Sequence, residues 1–396
     1  MSDKRQVKPI QTAAILSIFL GSMAFTVVTP AMATLAQHFK GKDVSWISTL
    51  PTLFVVIATM ISGALMGKKV KYKTLAVTSS VISLLGGCAP AFFDSYSGTL
   101  ICRAIMGFGL GLMAPLGNAL IIGLYEGKKQ ASMLGYGTLF MNAGGIVMQM
   151  LGGSLAELGW NKTFYGHAFL IIGLVMSFFL PEPDYSLSSE DMGSDKPKAK
   201  LSKNVWLIAL LLFIFSMLNY PIMMNLSVLF EVRSAGGAVA AGTSLSLYTI
   251  AGCVAGLLFG KIFQVAKRRC LFLGYTLSAL GALFVYVGQS AAVMTIGLVL
   301  IGFGFSVIMP ACLSWIGICT SPETVAFATS IVMAATNLGS FASSLWLRIL
   351  KMAVGENIYS AILAEIVVLT GTAVVFAIYS PFKSTQKKTS ATSAEN

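Results

Sequence analysis

Long apolar runs separated by short charged segments recur along the whole chain, and no other feature limits the possible folds as much. A helix needs about 20 apolar residues to cross the hydrocarbon core of a bilayer, and the runs have that length. Backbone groups find no water in that core, so helices are expected rather than open strands. Uninterrupted runs, rather than alternations of about ten residues, also argue against a barrel. Because 56% of the residues are hydrophobic and only 11% are charged, we predict an all-α polytopic membrane protein.

These runs predict twelve transmembrane helices. They lie near residues 11–36, 45–67, 74–93, 98–125, 131–156, 163–180, 204–230, 238–264, 270–288, 292–318, 324–349 and 357–381. The N-terminal segment MSDKRQVKP leads into an apolar run that is too long for a cleavable signal peptide and lacks a small-residue cleavage site. The first span is therefore expected to be retained.

Basic residues lie mostly on one side of the predicted spans. Of the 27 Lys and Arg residues, twenty fall in the N-terminus, the tail and the loops after even-numbered spans, and four fall in the opposite loops. The positive-inside rule therefore places both termini in the cytoplasm. This topology accounts for the net charge of +12, so no nucleic-acid partner is expected.

The sequence lacks the motifs of most enzymes and metalloproteins. Its six cysteines lie in or beside predicted spans and form no CxxC pair, so neither a metal site nor a structural disulfide is expected. No phosphate-binding GxxxxGK segment occurs, and the GxG segments lie inside spans rather than between a strand and a helix. No nucleophile and base are placed together. We therefore predict neither an enzyme nor a cofactor.

Two similar nine-residue segments indicate an internal duplication. GFGLGLMAP begins at Gly107 and GFGFSVIMP begins at Gly302, 195 residues later. Further pairs recur at nearly the same offset in matching spans: Asn142 and Asn337, Gly144 and Gly339, Pro30 and Pro221, and the basic turns 63–73 and 260–269. Parallel repeats of six spans are typical of secondary transporters, whose substrate site lies near the midplane between the halves.

A polar segment separates the sixth span from the seventh. Residues 181–203 carry prolines, serines and mixed charges, a composition typical of a flexible linker. We therefore predict an N-terminal six-helix bundle over residues 1–180, a cytoplasmic linker over 181–203, and a C-terminal six-helix bundle with a short polar tail over 204–396.

Small residues and prolines share one face of the fourth and tenth spans. The spacing i, i+4, i+8 is common to Gly107, Gly111 and Pro115 and to Gly302, Ser306 and Pro310. Small residues let helices approach closely, and proline frees a carbonyl that a neighbour or cavity water can take. The face is either a static packing surface or part of a bent element that changes conformation.

The turn that begins at Gly63 resembles the cytoplasmic loop between the second and third spans of the major facilitator superfamily. The basic residues Lys68 and Lys71 are retained, whereas Gly67 and Val70 stand where the family usually has an aspartate and a glycine. In the family, a salt bridge from that aspartate is thought to stabilise one conformer. Here the aspartate is absent.

Two further segments resemble the twelve-span drug:proton antiporters of this superfamily. Arg103 followed by spaced glycines resembles the fourth-span motif, in which the arginine is implicated in proton coupling or substrate contact. The fifth span from Gly144 to Gly153 resembles the antiporter motif, with Met148 and Gln149 in place of its glycine–proline pair. The resemblance implies the major facilitator fold, with two pseudo-symmetric six-helix bundles, and secondary transport by alternating access.

Three ionisable residues within predicted spans are candidates for function, because charge is costly inside a bilayer. Arg103 needs a partner from another helix, a substrate or cavity water, or else it reaches the nearby outer water. His167 and Glu365 are candidate proton carriers. Their spans are usually peripheral in this fold, where a histidine is often only hydrogen-bonded and a glutamate pairs with a lysine at a helix end. The first, fourth, seventh and tenth spans contain no Asp or Glu at mid-depth.

Uncharged polar residues in the expected cavity spans are further candidates for substrate contact or coupling. They are Asn118, Asn142, Gln149, Asn219, Tyr220, Asn225, Tyr248 and Asn337. Buried amides need partners, so each must face another helix or a wet cavity. The repeat-related Asn142 and Asn337 are equally consistent with hydrogen bonds between helices. The 20 Met and 25 Phe residues would make a cavity adaptable and apolar, which suits amphipathic compounds.

Two transport functions are compatible with the sequence. The first is proton-coupled efflux of amphipathic or hydrophobic compounds by alternating access. The second is uptake or exchange of a small organic anion bound by Arg103, which the missing glycine–proline pair and the missing mid-membrane acids favour. A receptor or an enzyme would need a soluble domain or a catalytic set, and the sequence contains neither. Expected partners are a small-molecule substrate, membrane lipids and protons, and we expect a monomer that is multi-pass in a bacterial inner membrane.

Overall fold

The computed structural model describes residues 7–66, 70–125, 127–182, 202–266, 269–320, 325–355 and 357–381. Within these ranges the chain is helical, apart from turns and one isolated bridge between Met66 and Val70. The α-helices in chain order are α1 (Pro9–Gly21), α2 (Met32–His38), α3 (Ser45–Leu65), α4 (Tyr72–Cys88), α5 (Tyr96–Leu124), α6 (Gly127–Ala156), α7 (Leu170–Ser177), α8 (Lys203–Met224), α9 (Leu226–Val232), α10 (Ala238–Ala266), α11 (Cys270–Val287), α12 (Ala291–Cys319), α13 (Val325–Val354) and α14 (Ile358–Ile378). The predicted all-α class is confirmed.

Ten helical segments of the described chain are long and apolar enough to cross a membrane. The segment Lys162–Ser177 is apolar but shorter, and α13, with 30 residues, is not among the ten. Each of the twelve ranges predicted from the sequence overlaps one of these helices. A multi-pass membrane protein is therefore established, whereas twelve crossings and cytoplasmic termini stay predictions.

The first and seventh predicted spans are interrupted rather than continuous. In the first, α1 ends at Gly21 and a 3₁₀ helix, Ala24–Ala31, leads into α2. This segment contains Pro30, which has no N–H to donate and so breaks the α-helical ladder. In the seventh, α8 ends at Met224, one turn after Pro221, and the Asn225 side chain donates to the Pro221 carbonyl over 3.0 Å.

Helices α5 and α12 have matching lengths and caps, as an internal duplication requires. Each has 29 residues, and α12 begins 195 residues after α5. Ser95 caps α5 by accepting a hydrogen bond from the Gly98 N–H over 3.2 Å. Ser290, 195 residues later, caps α12 by accepting from the Val293 N–H over 3.4 Å. Equivalent residues therefore begin equivalent helices.

Glycines at equivalent positions make equivalent close contacts. A Cβ on Gly107 would clash with the Pro51 carbonyl in α3, and a Cβ on Gly302 would clash with the Tyr248 carbonyl in α10. Two further pairs of equivalent glycines behave in the same way. A Cβ on Gly144 would clash with the Leu20 carbonyl and one on Gly339 with the Phe213 carbonyl. A Cβ on Gly109 would clash with the Ser83 hydroxyl and one on Gly304 with the Ser278 hydroxyl. These contacts support the predicted packing face, because only glycine lets the backbones approach so closely.

Pro115 frees a carbonyl that a neighbouring helix then binds. Proline removes the hydrogen bond to the carbonyl four residues earlier, which here belongs to Gly111. The Thr59 hydroxyl of α3 lies 3.1 Å from that oxygen and 2.7 Å from the Val55 carbonyl of its own helix, so the two carbonyls share its hydrogen. The Ser62 hydroxyl donates to the Leu112 carbonyl over 2.7 Å. Helices α5 and α12 run through Pro115 and Pro310 without a gap in the helix.

The close contact of Gly302 gives a stability test. We expect Gly302→Ala to lower the thermal stability of the purified protein, since overpacking of a core costs about 1–3 kcal/mol. Gly317→Ala is the matched control on the same helix, because a Cβ there meets no atom within 4 Å. Thermal unfolding in detergent measures both. Equal melting temperatures for the two variants would contradict the close packing of α12 against α10.

The chain forms two compact units by its internal contacts. The first comprises Met1–Lys198, Tyr220–Ser246 and Ser340–Trp346, and the second comprises Ala199–Asn219, Leu247–Gly339 and Leu347–Asn396. The first unit thus includes segments from both predicted halves. Its contacts between those segments are Ala33 N to Ser227 Oγ (3.1 Å), Gln37 Nε2 to Glu231 Oε2 (2.8 Å), Ser48 Oγ to Tyr220 Oη (3.1 Å), Thr49 Oγ1 to Ser344 Oγ (2.6 Å) and Ser246 Oγ to the Ile146 carbonyl (3.3 Å).

Candidate functional site

Arg103, on α5, is completely buried in the first unit. Its Nε donates to the Ile47 carbonyl over 2.7 Å, and its Nη2 donates to the Phe25 carbonyl over 3.0 Å. Its Nη1 lies 3.1 Å from both the His167 Nε2 and the Met106 sulfur. Four of the five N–H groups of the guanidinium therefore point at protein acceptors. The side chain is held inside the helix bundle and does not reach outward to water.

His167 is also completely buried, and its two ring nitrogens have distinct partners. Nδ1 lies 3.0 Å from the Phe164 carbonyl, so it carries the proton and donates it to that oxygen. Nε2 is then the acceptor for Arg103, which requires the neutral ring. Gly87 makes room for the imidazole, because a Cβ there would lie 2.6 Å from the ring.

Carbonyl dipoles and a neutral ring surround the Arg103 charge. The Phe25 carbonyl comes from the 3₁₀ segment of the first span, where the helix is interrupted, and the Ile47 carbonyl comes from the first turn of α3. These two acceptors were not predicted from the sequence, because every residue has a backbone carbonyl and its type does not show which one is free to bind. Two prolines were the available signals: Pro30 predicts a break in the first span, and Pro51 frees the carbonyl four residues earlier, which is that of Ile47.

Glu365 and Asn219 form a second buried polar pair, in the second unit. Glu365 on α14 is 0% exposed and Asn219 on α8 is 5% exposed. The Asn219 amide donates to Glu365 Oε1 over 3.0 Å. Glu365 Oε2 has no hydrogen-bond partner among the described residues. The structure thus brings together two candidates from the sequence, Asn219 and Glu365.

The remaining polar candidates are dispersed. Tyr220 is half-buried and bonds to Ser48, and Asn225, which lies between α8 and α9, donates to the Pro221 carbonyl. Asn337 likewise donates to a carbonyl of its own helix, that of Met333, over 3.1 Å. Three more differ in exposure: Gln149 is buried, Asn142 is half-buried and Asn118 is exposed.

The candidates for conformational or packing roles differ in their surroundings. Gly107, Gly111 and Gly302 are in close contact with carbonyls of neighbouring helices. In the basic turn, a Cβ on Gly63 would meet no atom within 4 Å, and Lys71 is exposed at the start of α4. Lys68 lies outside the described residues.

The sequence matches the profile of the Major Facilitator Superfamily over residues 14–344 and 241–395. Among curated relatives, the Multidrug transporter protein MdtP of Bacillus subtilis is 26% identical over 174 residues, which are 43% of this chain and 31% of MdtP. The Putative multidrug resistance protein MdtD of Escherichia coli is 23% identical over 174 residues, 43% of this chain and 37% of MdtD. The alignments therefore span about a third of each relative's length.

Solved structures show the same fold at low identity. A bacterial homologue of the human lysosomal transporter Spinster, in an inward-facing and occupied conformation, superposes with a TM-score of 0.73 at 13% identity. That match covers 94% of this chain and 97% of the other. Together with the profile match over nearly the whole sequence, this shared architecture establishes that the chain belongs to the major facilitator superfamily of multi-pass membrane proteins.

Proposed function

We propose that this protein is a secondary transporter that exports amphipathic or hydrophobic compounds by alternating access and uses the proton gradient to do so. The observation that carries the proposal is the family match across the chain. Two relatives named as multidrug transport or resistance proteins support a drug-like substrate. The protein would act on its substrate by translocation and not by chemical conversion.

The contacts between the two predicted halves support alternating access. The bonds of Ala33 with Ser227 and of Gln37 with Glu231 join the ends of the first and seventh predicted spans. The positive-inside rule places these ends on the outer side of the membrane. A state that binds substrate from the inner side requires the outer side to be closed, and these bonds would then break when the protein opens outward.

Glu365 is the proposed proton carrier. It is the single Asp or Glu within the twelve predicted spans. Asn219 can donate to Oε1 whether or not the carboxyl group carries a proton, so Oε2 is the position at which a proton can be gained and lost. An ionised carboxylate without a cationic partner is costly to bury. A proton, or a bound cationic substrate, would remove that cost.

Arg103 is the proposed anchor of the first bundle, and His167 is its partner. The guanidinium joins four predicted spans, because its partners lie in the first, second and sixth and its own backbone lies in the fourth. An organic anion would have to displace several of these acceptors before it could bind the guanidinium. The arrangement therefore favours efflux over anion exchange. Twelve crossings, two six-helix halves and a monomeric state complete the proposal.

Ligand-induced stabilisation tests the substrate class. We expect amphipathic compounds to raise the melting temperature of the purified protein and small organic acids to leave it unchanged. A ligand at a hundredfold excess over its Kd stabilises the bound state by about 2.7 kcal/mol, which a thermal-shift assay detects readily. Stabilisation by organic acids alone, lost on Arg103→Lys, would instead support the anion transporter.

A further inference from the structure

An apolar groove of about 330 Å³ lies on the surface of the second unit, between α8, α12 and α14. Leu207 and Leu211 of α8 form one wall, and residues of α14 from Val368 to Tyr379 form the other. Trp315 of α12 lies at the base, where its ring approaches those of Phe376 (6.4 Å) and Tyr379 (6.5 Å). The one hydroxyl midway along the groove, that of Thr372, bonds to the Val368 carbonyl over 2.8 Å. The walls therefore offer a ligand an almost wholly apolar surface.

The length of the groove matches one leaflet of a bilayer. Tyr379, the residue after the end of α14, lies eleven positions after Val368, and this corresponds to about 16 Å along a helix. The hydrocarbon core is about 30 Å thick, so one leaflet contributes about 15 Å. A single acyl chain that runs parallel to α14 would fill the groove from the membrane interior to the surface.

The surface end of the groove carries positive charge. Lys203, Leu207 and Leu211 are spaced i, i+4 and i+8, so Lys203 lies on the groove face of α8, one turn beyond the wall. Its side chain is exposed and begins the helix. The exposed Tyr379 marks the same end on α14, and aromatic residues are typical of the membrane–water interface.

We infer that this groove binds an anionic phospholipid of the cytoplasmic leaflet, with one acyl chain between α8 and α14 and the phosphate near Lys203. Three independent features agree on this occupant: an apolar channel as long as one leaflet, an interfacial aromatic residue, and a lysine at the depth of the headgroups. All of the groove's residues, and Lys203, belong to the second compact unit.

Native mass spectrometry with added lipid tests the site. We expect the wild-type protein to retain phosphatidylglycerol in preference to phosphatidylcholine. Gly371→Leu should fill the groove and remove the bound lipid, because Gly371 lines it and a Cβ there meets no atom within 4 Å. Lys203→Gln should weaken the binding of phosphatidylglycerol about fivefold and leave that of phosphatidylcholine unchanged, as expected for one lysine at a membrane surface.

Gly256→Leu is the matched control. Gly256 is an exposed glycine of α10 in the same unit, and its Cβ would also meet nothing within 4 Å, but it lies outside the groove. This variant should retain phosphatidylglycerol as the wild type does. Equal retention by Gly371→Leu and the wild type, or no preference of the wild type for the anionic lipid, would overturn the assignment. Displacement of the lipid by an amphipathic cation would assign the groove to the transported substrate, and this result would also overturn the assignment to a phospholipid.

Discussion

Glu365→Gln is expected to abolish transport driven by a pH gradient while leaving substrate exchange intact. Glutamine has nearly the same shape as protonated glutamate, and its carbonyl can still accept the hydrogen bond from Asn219. It cannot release a proton, so substrate movement would lose its connection to the gradient. Transport into proteoliposomes, measured with and without a pH gradient, separates the two activities.

Glu157→Gln is the control for the loss of one carboxylate. Glu157 is exposed just after the end of α6, and its replacement should leave both activities at the level of the wild type. If Glu365→Gln responds to the pH gradient as the wild type does, Glu365 is not the proton carrier. If both exchange and gradient-driven transport disappear in a well-folded variant, Glu365 is required for substrate binding or movement and is not specific to proton coupling.

Arg103→Leu is expected to reduce stability strongly, even without substrate. The change leaves the Phe25 and Ile47 carbonyls and the His167 Nε2 without their donor. An unsatisfied buried polar group costs about 1–3 kcal/mol, so three of them should lower the free energy of unfolding by about 3 kcal/mol or more. Thermal unfolding of the purified protein in detergent, without added ligand, measures this loss.

Two further variants separate anchoring from simple loss of charge. Arg348→Leu removes an exposed arginine of α13 and should change the melting temperature little. Arg103→Lys keeps the charge but offers fewer donors in a different geometry, so we expect partial recovery of stability. A ligand-free Arg103→Leu protein as stable as the wild type would show that Arg103 does not anchor the bundle.

The membrane-spanning segments could be predicted because their lengths are set by the bilayer and not by tertiary contacts. The helix breaks in the first and seventh spans were harder to predict. Pro30 and Pro221 are visible in the sequence, but proline also occurs inside the uninterrupted helices α5 and α12. Whether a proline breaks or only locally alters a helix depends on which neighbours satisfy the freed carbonyl. Thr59 contributes to this for the Gly111 carbonyl, four residues before Pro115.

The buried charges were predicted, but most of their partners were not. Arg103 was identified because an arginine inside a span is rare. Its partner His167 lies 64 residues away, and the Phe25 and Ile47 acceptors belong to the backbone. Glu365 was expected in a peripheral span, yet its side chain is fully buried. Burial is decided by the face a helix turns toward its neighbours, which depends on packing.

The two predicted halves contain the matching helices α5 and α12 but differ in their buried polar groups. The residue equivalent to Arg103 at the offset of 195 is Leu298, which is completely buried. The residue equivalent to His167 is Ile362, one helical turn from Glu365. Each half thus has one buried ionisable group in its last predicted span, a histidine bonded to arginine in the first half and a glutamate bonded to asparagine in the second. The proposed division of roles, anchoring in one half and proton exchange in the other, follows from this difference.

The most direct test of the account is transport by the wild-type protein in proteoliposomes with an imposed pH gradient. A permanently charged amphipathic cation is a suitable substrate because it is not trapped passively by the gradient, and potassium with valinomycin holds the membrane potential constant. We predict accumulation in vesicles with an acidic interior, abolished by a protonophore and absent from protein-free liposomes. Uptake that ignores the pH gradient but is accelerated by substrate on the opposite side would contradict proton-coupled export.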